Sequence, residues 1–105
     1  MTDIYFVMVT FGTEEQAVQV TRTVVEEQLA AGGNVLPGLR SFYRWKGEVR
    51  DDTETLVIYQ CTVDGFEALR ARIKALHSYE CPEIVAFPVA AGHEAYLEWV
   101  RRRGV

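Results

Sequence analysis

Residues 77–83, His-Ser-Tyr-Glu-Cys-Pro-Glu, hold the densest set of chemically useful side chains in this sequence. One short segment carries an imidazole, a phenol, two carboxylates and a thiol, between a helical pattern and an apolar strand pattern. Such a junction places polar groups at the ends of rigid elements, where a site can keep a fixed geometry. Pro82 stiffens it, since proline presets its own φ and favours extended backbone in the residue before it. The alternative is a polar turn with no site.

A metal site is the first chemistry that this segment suggests. His77, Glu80 and Cys81 offer one nitrogen, one oxygen and one sulfur donor; imidazole and thiolate suit copper or zinc, and a carboxylate widens the range. The spacing matches no standard structural zinc pattern, and a second pair of ligands is missing, although His93 could approach from the last helix. The alternatives are Cys81 as a small buried hydrophobe and His77 as a cation at a helix end.

A second group of side chains could line a cleft between subunits. Tyr43, Trp45, Tyr79 and Trp99 are amphipathic aromatic residues near polar positions, and Glu83 is assigned to the same cleft or interface. Plain packing within an interface remains the alternative for these aromatic rings.

Composition and charge narrow the class of protein. The chain has 105 residues, which indicates one domain over residues 1–105, and its 49% hydrophobic and 25% charged content is that of a globular protein. A net charge of −4 gives no basic face for nucleic acid. We expect no membrane span and no secretory signal, hence a cytoplasmic protein with reduced thiols at Cys61 and Cys81.

The elements that must position these residues follow from hydrophobic periodicity. The order strand, helix, strand, strand, helix, strand, helix predicts an α+β, ferredoxin-like split βαβ fold with an antiparallel sheet and an added C-terminal helix. The predicted strands span 4–11, 35–45, 56–63 and 84–89. Right-handed crossovers place both main helices on one face of the sheet. Pro88 lacks an N–H, which favours an edge position or a strand end.

Local signals set the expected boundaries. Thr13 should cap the first helix with Gln16 reaching back in a capping box, and the glycine pair 32–33 should end that helix. Residues 37–38, Pro-Gly, predict a bulge or bend, and the charged residues 47–53 predict a turn between the second and third strands. The last short helix should start at glycine 92.

The strands are apolar on both faces, although a sheet with helices on one side should alternate apolar and polar residues. Within the first, third and fourth strands, two sets of apolar residues point to opposite faces of the sheet. In the first strand the two sets are Ile4, Phe6 and Met8, and Tyr5, Val7, Val9 and Phe11. In the third they are Leu56 and Ile58, and Val57, Tyr59, Cys61 and Val63; in the fourth they are Ile84 and Ala86, and Val85, Phe87 and Val89. An exposed face of this size exceeds the apolar patch of a usual monomer. We therefore infer an identical partner subunit; the alternative is a monomer whose C-terminal helix folds under the sheet.

Several separated stretches, in order along nearly the whole chain, carry a resemblance to a known family. They are Val9-Thr10, residues 26–37 (EEQLAAGGNVLP), residues 41–49 (SFYRWKGEV), residues 76–88 (LHSYECPEIVAFP) and residues 96–99 (YLEW). With these stretches the sequence resembles the CutA divalent-cation tolerance family. The resemblance implies a ferredoxin-like subunit in a compact homotrimer, tolerance to divalent metals, especially copper, and an architecture similar to that of the trimeric PII signalling proteins, which bind small ligands between subunits.

Two positions depart from the family pattern. Gly32 stands where the family often has a cysteine that has been implicated in metal binding, and Cys81 stands where it commonly has an aliphatic residue. The role of the family thiol therefore cannot be carried over to position 32.

The leading functional hypothesis is a homotrimeric divalent-cation tolerance protein that is not an enzyme. It requires no cofactor and binds copper or another divalent cation in clefts between subunits. The alternative is a PII-like small-ligand-binding signalling trimer or a scaffolding trimer with no physiological metal. An acylphosphatase-like hydrolase is disfavoured because residues 11–15 carry two acids and no cation for phosphate. An RNA-binding sheet is disfavoured by the net charge.

Overall fold

The apolar residues Ile4–Phe11 form the first strand in the computed structural model, which describes all residues 1–105. The elements along the chain are β1 Ile4–Phe11, α1 Glu14–Glu26, β2 Gly32–Trp45, β3 Glu48–Thr62, α2 Phe66–Leu76, β4 Ile84–Pro88 and α3 Glu94–Arg101. One four-stranded sheet has the order β2-β3-β1-β4, and every neighbouring pair is antiparallel. The α+β, ferredoxin-like split βαβ prediction is confirmed, and Pro88 lies in an edge strand as expected.

The main core lies between α1, α2 and one face of the sheet. Its buried members are Val7, Val9, Phe11, Ala17, Val20, Val24, Ala30, Val57, Tyr59, Cys61, Leu69 and Ile73. The Tyr59 hydroxyl is satisfied inside this core by Thr21 Oγ1 at 2.9 Å, and burial raises the pKa of Tyr59 to about 12. Burial also raises the pKa of the Cys61 thiol to about 11, so this cysteine is a packing residue.

The end of α1 differs from the prediction. The helix ends at Glu26, and the chain reverses at Gln28, which has φ of 60°, so the prediction that the glycine pair 32–33 ends this helix was wrong. Those glycines start β2, and the second is needed for close approach, since a Cβ on Gly33 would lie 2.7 Å from Thr21 Cγ2. At the other end, Thr13 caps the helix by accepting from the Gln16 N–H, as predicted, but the Gln16 side chain does not reach back to complete a capping box and accepts from the Ser78 hydroxyl.

The hairpin of β2 and β3 is longer than the charged sequence indicated. Residues 47–53 were predicted as a turn, but from Glu48 onward they are strand, because the reversal needs only Lys46 and Gly47, with φ of 51° and 83°. Two positive φ values match the two-residue turn that fits the twist of a hairpin. The charges stay in solvent and pair across the strands, as in the two hydrogen bonds of 2.9 and 2.8 Å from Arg40 to Asp51. The predicted bulge is confirmed as a register shift between Leu36 and Leu39.

The second face of the sheet is covered only at one end. Helix α3 begins at Glu94, two residues later than predicted, and buries a small cluster of Ile4, Ala31, Leu97 and Val100 against that end. The strand register places apolar side chains of that face in one patch, called here the open face: Phe6, Met8, Leu36, Leu56, Ile58, Val85 and Phe87. Val85 is 44% and Phe87 50% exposed. None of the three helices is both long and apolar enough to cross a membrane.

Candidate functional site

A cavity of about 630 Å³ opens between the β2–β3 hairpin and the turn that joins α2 to β4. Its lining residues are Thr10, Ser41, Phe42, Tyr43, Trp45, Arg50, Glu54, Ser78, Tyr79, Glu80, Cys81 and Glu83. The cavity thus collects six of the residues that the sequence assigned to a metal site or a cleft: Tyr43, Trp45, Tyr79, Glu80, Cys81 and Glu83. It leaves out His77 and Trp99.

His77 fixes the position of the turn behind this cavity. It follows α2 directly, is buried, and stacks on Phe11 with ring centroids 4.6 Å apart. The Tyr79 backbone N–H donates to Nδ1 at 3.0 Å, so Nε2 carries the ring proton and donates to the Thr10 carbonyl at 2.7 Å. Burial lowers the pKa of His77, which favours this neutral form. Both ring nitrogens are therefore occupied within the protein.

Tyr79 joins the turn to β3 through a buried carboxylate. Its hydroxyl donates to Oε2 of Glu54 at 2.7 Å, and Glu54 is only 6% exposed. Burial, and the negative charge of Glu54 next to the phenol, raise the pKa of Tyr79. Gly12 leaves room for the ring, since a Cβ there would lie 3.2 Å from the Tyr79 hydroxyl oxygen.

Glu80, Cys81 and Glu83 form the exposed rim of the cavity on the turn side. Cys81 is a free and exposed thiol. No group of three or more His, Cys, Asp or Glu side chains in this chain is arranged to hold a metal ion. The predicted donors Glu80 and Cys81 are accessible, whereas His77 lies behind them with both nitrogens bonded. A metal site at these residues stays a prediction.

The hairpin supplies the opposite wall of the cavity. Tyr43 donates its hydroxyl proton to Asp52, and this hydrogen bond raises the pKa of Tyr43. Trp45 is partly exposed beside the hairpin turn, with Lys46 Nζ 5.8 Å from its ring centroid. Trp99 lies elsewhere, on α3, with its ring 5.6 Å from that of Tyr96.

Glu54 is the important residue that the sequence reading missed. It alternates in phase with Leu56 and Ile58, so extending the third strand by two residues would have placed it on the same face. The predicted third strand begins only at Leu56, because the residues before it are mostly charged. Among the cavity residues the charges are three carboxylates, Glu54, Glu80 and Glu83, against one guanidinium, Arg50.

Comparison with known proteins agrees with this architecture. The family model described as CutA1 divalent ion tolerance protein matches residues 5–103. The divalent-cation tolerance protein CutA of Thermus thermophilus is 48% identical over 95 residues, covering 90% of this chain and 92% of that protein. The chloroplastic CutA protein of Arabidopsis thaliana is 37% identical over 95 residues, and the match spans 52% of its length.

Solved structures give the same result. The structure of the divalent cation tolerance protein from Thermus thermophilus superposes with a TM-score of 0.92 at 46% identity, covering 95% of this chain and 97% of that one. Fold and cavity thus define a ferredoxin-like α+β domain with an open apolar sheet face beside a polar cavity. The chain belongs to the CutA1 divalent ion tolerance protein family.

Proposed function

We propose that the chain is the subunit of a homotrimeric divalent-cation tolerance protein that binds copper or another divalent cation in clefts between subunits. The observation that supports self-assembly is the open face. Its seven side chains are all apolar, and α3 covers only the far end of the sheet. Fully burying one such side chain contributes about 1.5–3 kcal/mol, so covering this face with another copy is strongly favourable.

A self-assembled particle is the simplest way to cover the open face. Each copy brings the same apolar patch, and closed symmetry satisfies every patch with one kind of contact. The number three comes from the family resemblance, since the physical reasoning requires only a partner. We also propose that the protein acts in the cytoplasm, where Cys61 and Cys81 remain reduced.

The metal part of the proposal rests on the cavity rim. Glu80 and Cys81 are exposed neighbours that offer oxygen and sulfur to an incoming ion. Two donors from one chain do not complete a coordination sphere, so a second copy, or His77 after giving up the Tyr79 N–H bond, would add the remainder. We expect a binding role and no catalytic one.

A second candidate is PII-like binding of a small organic ligand, and the size of the cavity favours it. A volume of about 630 Å³ lies in the range of small-molecule sites and exceeds what a single ion needs. In this case no physiological metal is required, and the protein signals or acts as a scaffold through the ligand-bound trimer.

Copper titration by isothermal calorimetry tests the metal proposal. The wild-type protein is compared with the double variant Glu80→Gln/Cys81→Ser, which removes both exposed donors and leaves the fold contacts in place. The matched control is Cys61→Ala, which removes only the buried thiol. The proposal expects saturable binding that the double variant loses and the control keeps. Identical isotherms for all three proteins would remove Glu80 and Cys81 as ligands; His77→Gln then tests the remaining predicted donor.

A further inference from the structure

We infer that the cavity between the hairpin and the turn binds a small organic cation, a compound with an alkylammonium group, paired with Glu54 and enclosed by Tyr43 and Tyr79. This inference goes beyond the metal proposal, since it assigns an organic ligand class to residues inside the cavity and not to the donors at its rim.

Glu54 is a buried carboxylate without a cationic partner. It is 6% exposed, and the ion pairs in the structure involve other carboxylates: Asp3, Glu26, Glu27, Asp51, Glu67, Glu94 and Glu98. Its hydrogen bond comes from a neutral phenol, that of Tyr79. Taking a carboxylate out of water is costly unless a positive charge compensates it. A cation that enters the cavity can supply that charge.

The side chains around Glu54 suit an organic cation better than a bare metal ion. Tyr43, Trp45 and Tyr79 line the cavity with aromatic rings, whose negative faces attract alkylammonium groups. The cavity is large enough for a compound of several carbon atoms, whose apolar surface would pack against the rings.

The charged residues that line the cavity favour a cationic ligand over an anionic one. Glu54, Glu80 and Glu83 are opposed by Arg50 alone. An anion drawn to Arg50 would meet three carboxylates, one of them desolvated, whereas a cation is attracted by all three. An ammonium head next to Glu54 leaves the apolar part of the compound beside Tyr79 and Tyr43, since the strand register places Trp45, opposite Glu48, six residues further along the hairpin. The site is therefore built for one positive charge attached to an apolar body.

The test uses two probes, tetramethylammonium chloride and 1,4-diaminobutane, titrated by calorimetry into the assembled protein at constant ionic strength set with sodium chloride. Glu54→Gln keeps the shape and removes the charge. Its matched control is Glu26→Gln on α1, outside the cavity. We expect saturable binding by wild type and control, and at least about tenfold weaker binding by Glu54→Gln, as expected for loss of a charged contact.

Tyr43→Leu is the second variant, because Tyr43 is 38% exposed and its replacement leaves the core intact. We expect it to weaken binding of tetramethylammonium about threefold to thirtyfold, the range of a cation–π contact.

Three outcomes would overturn the inference. One is the absence of saturable wild-type binding up to about 10 mM probe, the range of weak small ligands. Another is unchanged affinity in Glu54→Gln, since the inference pairs the cation with that carboxylate. The last combines two results: the wild type binds neither probe, and Glu54→Gln forms a smaller particle than the wild type. A basic side chain of a second copy would then be the partner of Glu54. Copper binding at Glu80 and Cys81 is measured in a separate titration, so the metal proposal and the organic-cation inference can fail independently.

Discussion

The hydroxyl of Tyr79 lies 2.7 Å from Oε2 of Glu54, and this hydrogen bond joins the turn after α2 to the middle of β3. The two residues are 25 positions apart, yet they form opposite sides of one cavity. Because Glu54 is buried and has no cationic partner, the bond fixes a negative charge at the cavity wall. A movement of the turn after α2 would therefore also displace the carboxylate of Glu54.

Removing the Tyr79 hydroxyl should destabilise the protein. Tyr79→Phe leaves the carboxylate of Glu54 without its donor, and an unsatisfied buried group costs about 1–3 kcal/mol. The free energy of unfolding, measured in urea at fixed protein concentration, gives this difference. Tyr96→Phe is the matched control, since Tyr96 is exposed on α3 and its hydroxyl takes part in no hydrogen bond. Equal stabilities of the two variants would contradict the structural role of the Tyr79–Glu54 bond.

Acid should weaken the fold through His77. Burial lowers the pKa of His77 below its ordinary 6.5, so below about pH 6.5 the unfolded chain binds more protons than the folded one. Stability that is present above this pH is therefore lost as the pH falls toward the folded-state pKa. Urea unfolding of the wild type at a series of pH values from about 7.5 to about 5 should show the loss.

The matched variants separate His77 from the other acid-sensitive groups. His77→Gln should be less stable by about 1–3 kcal/mol at neutral pH, because the Thr10 carbonyl loses its donor, and its acid-side slope should be shallower. His93→Gln removes the exposed histidine before α3 and should keep the wild-type slope. A slope that is the same in all three proteins would exclude His77 as its source.

A charge placed on the open face should disrupt assembly. Phe87→Glu puts a carboxylate among apolar side chains that the proposed trimer buries, so we expect a smaller particle at the same protein concentration. Val18→Glu is the control, since Val18 is similarly exposed, at 42%, but lies on α1 on the opposite side of the sheet. Multi-angle light scattering after size exclusion gives both masses. If the two variants kept the same mass, the open face would not be the subunit interface.

The two thiols should react at very different rates. Cys61 is buried, and its pKa is raised to about 11, so little thiolate forms at neutral pH. A thiol-specific reagent should leave Cys61 unmodified in the native protein and modify it after denaturation. Cys81→Ser isolates this behaviour, because Cys61 is then the only cysteine. Rapid modification of native Cys81→Ser would show that the core around β3 opens readily.

Much of the fold follows from periodicity because its segments are consistently apolar. Strand β1 has no breaker between Ile4 and Phe11, and the spacing of Phe66, Leu69, Ile73 and Leu76 marks one helix face, so both elements were predicted with little error. The errors occurred where packing overrides local preference. Gly33 suggested a helix end, but the structure uses it for contact with Thr21 and Tyr59.

The candidate site was predictable in part. Aromatic and acidic side chains near the turn suggested a cleft, and the structure brings Tyr43, Trp45 and Tyr79 to one cavity. Three facts emerge only from the folded chain: both nitrogens of His77 are bonded, Trp99 lies elsewhere, and Glu54 is buried. The sequence shows which residues carry possible metal-binding atoms. It does not show that another group in the protein already bonds those atoms, as the Thr10 carbonyl does for Nε2 of His77.

Sedimentation equilibrium of the wild-type protein tests the central claim most directly, since it measures how many chains share the open faces. The account predicts a species of about three times the 11.9 kDa chain mass that persists on dilution. A folded species of 11.9 kDa that remains in solution at every concentration would contradict it, because the seven apolar side chains of the open face would then face water permanently.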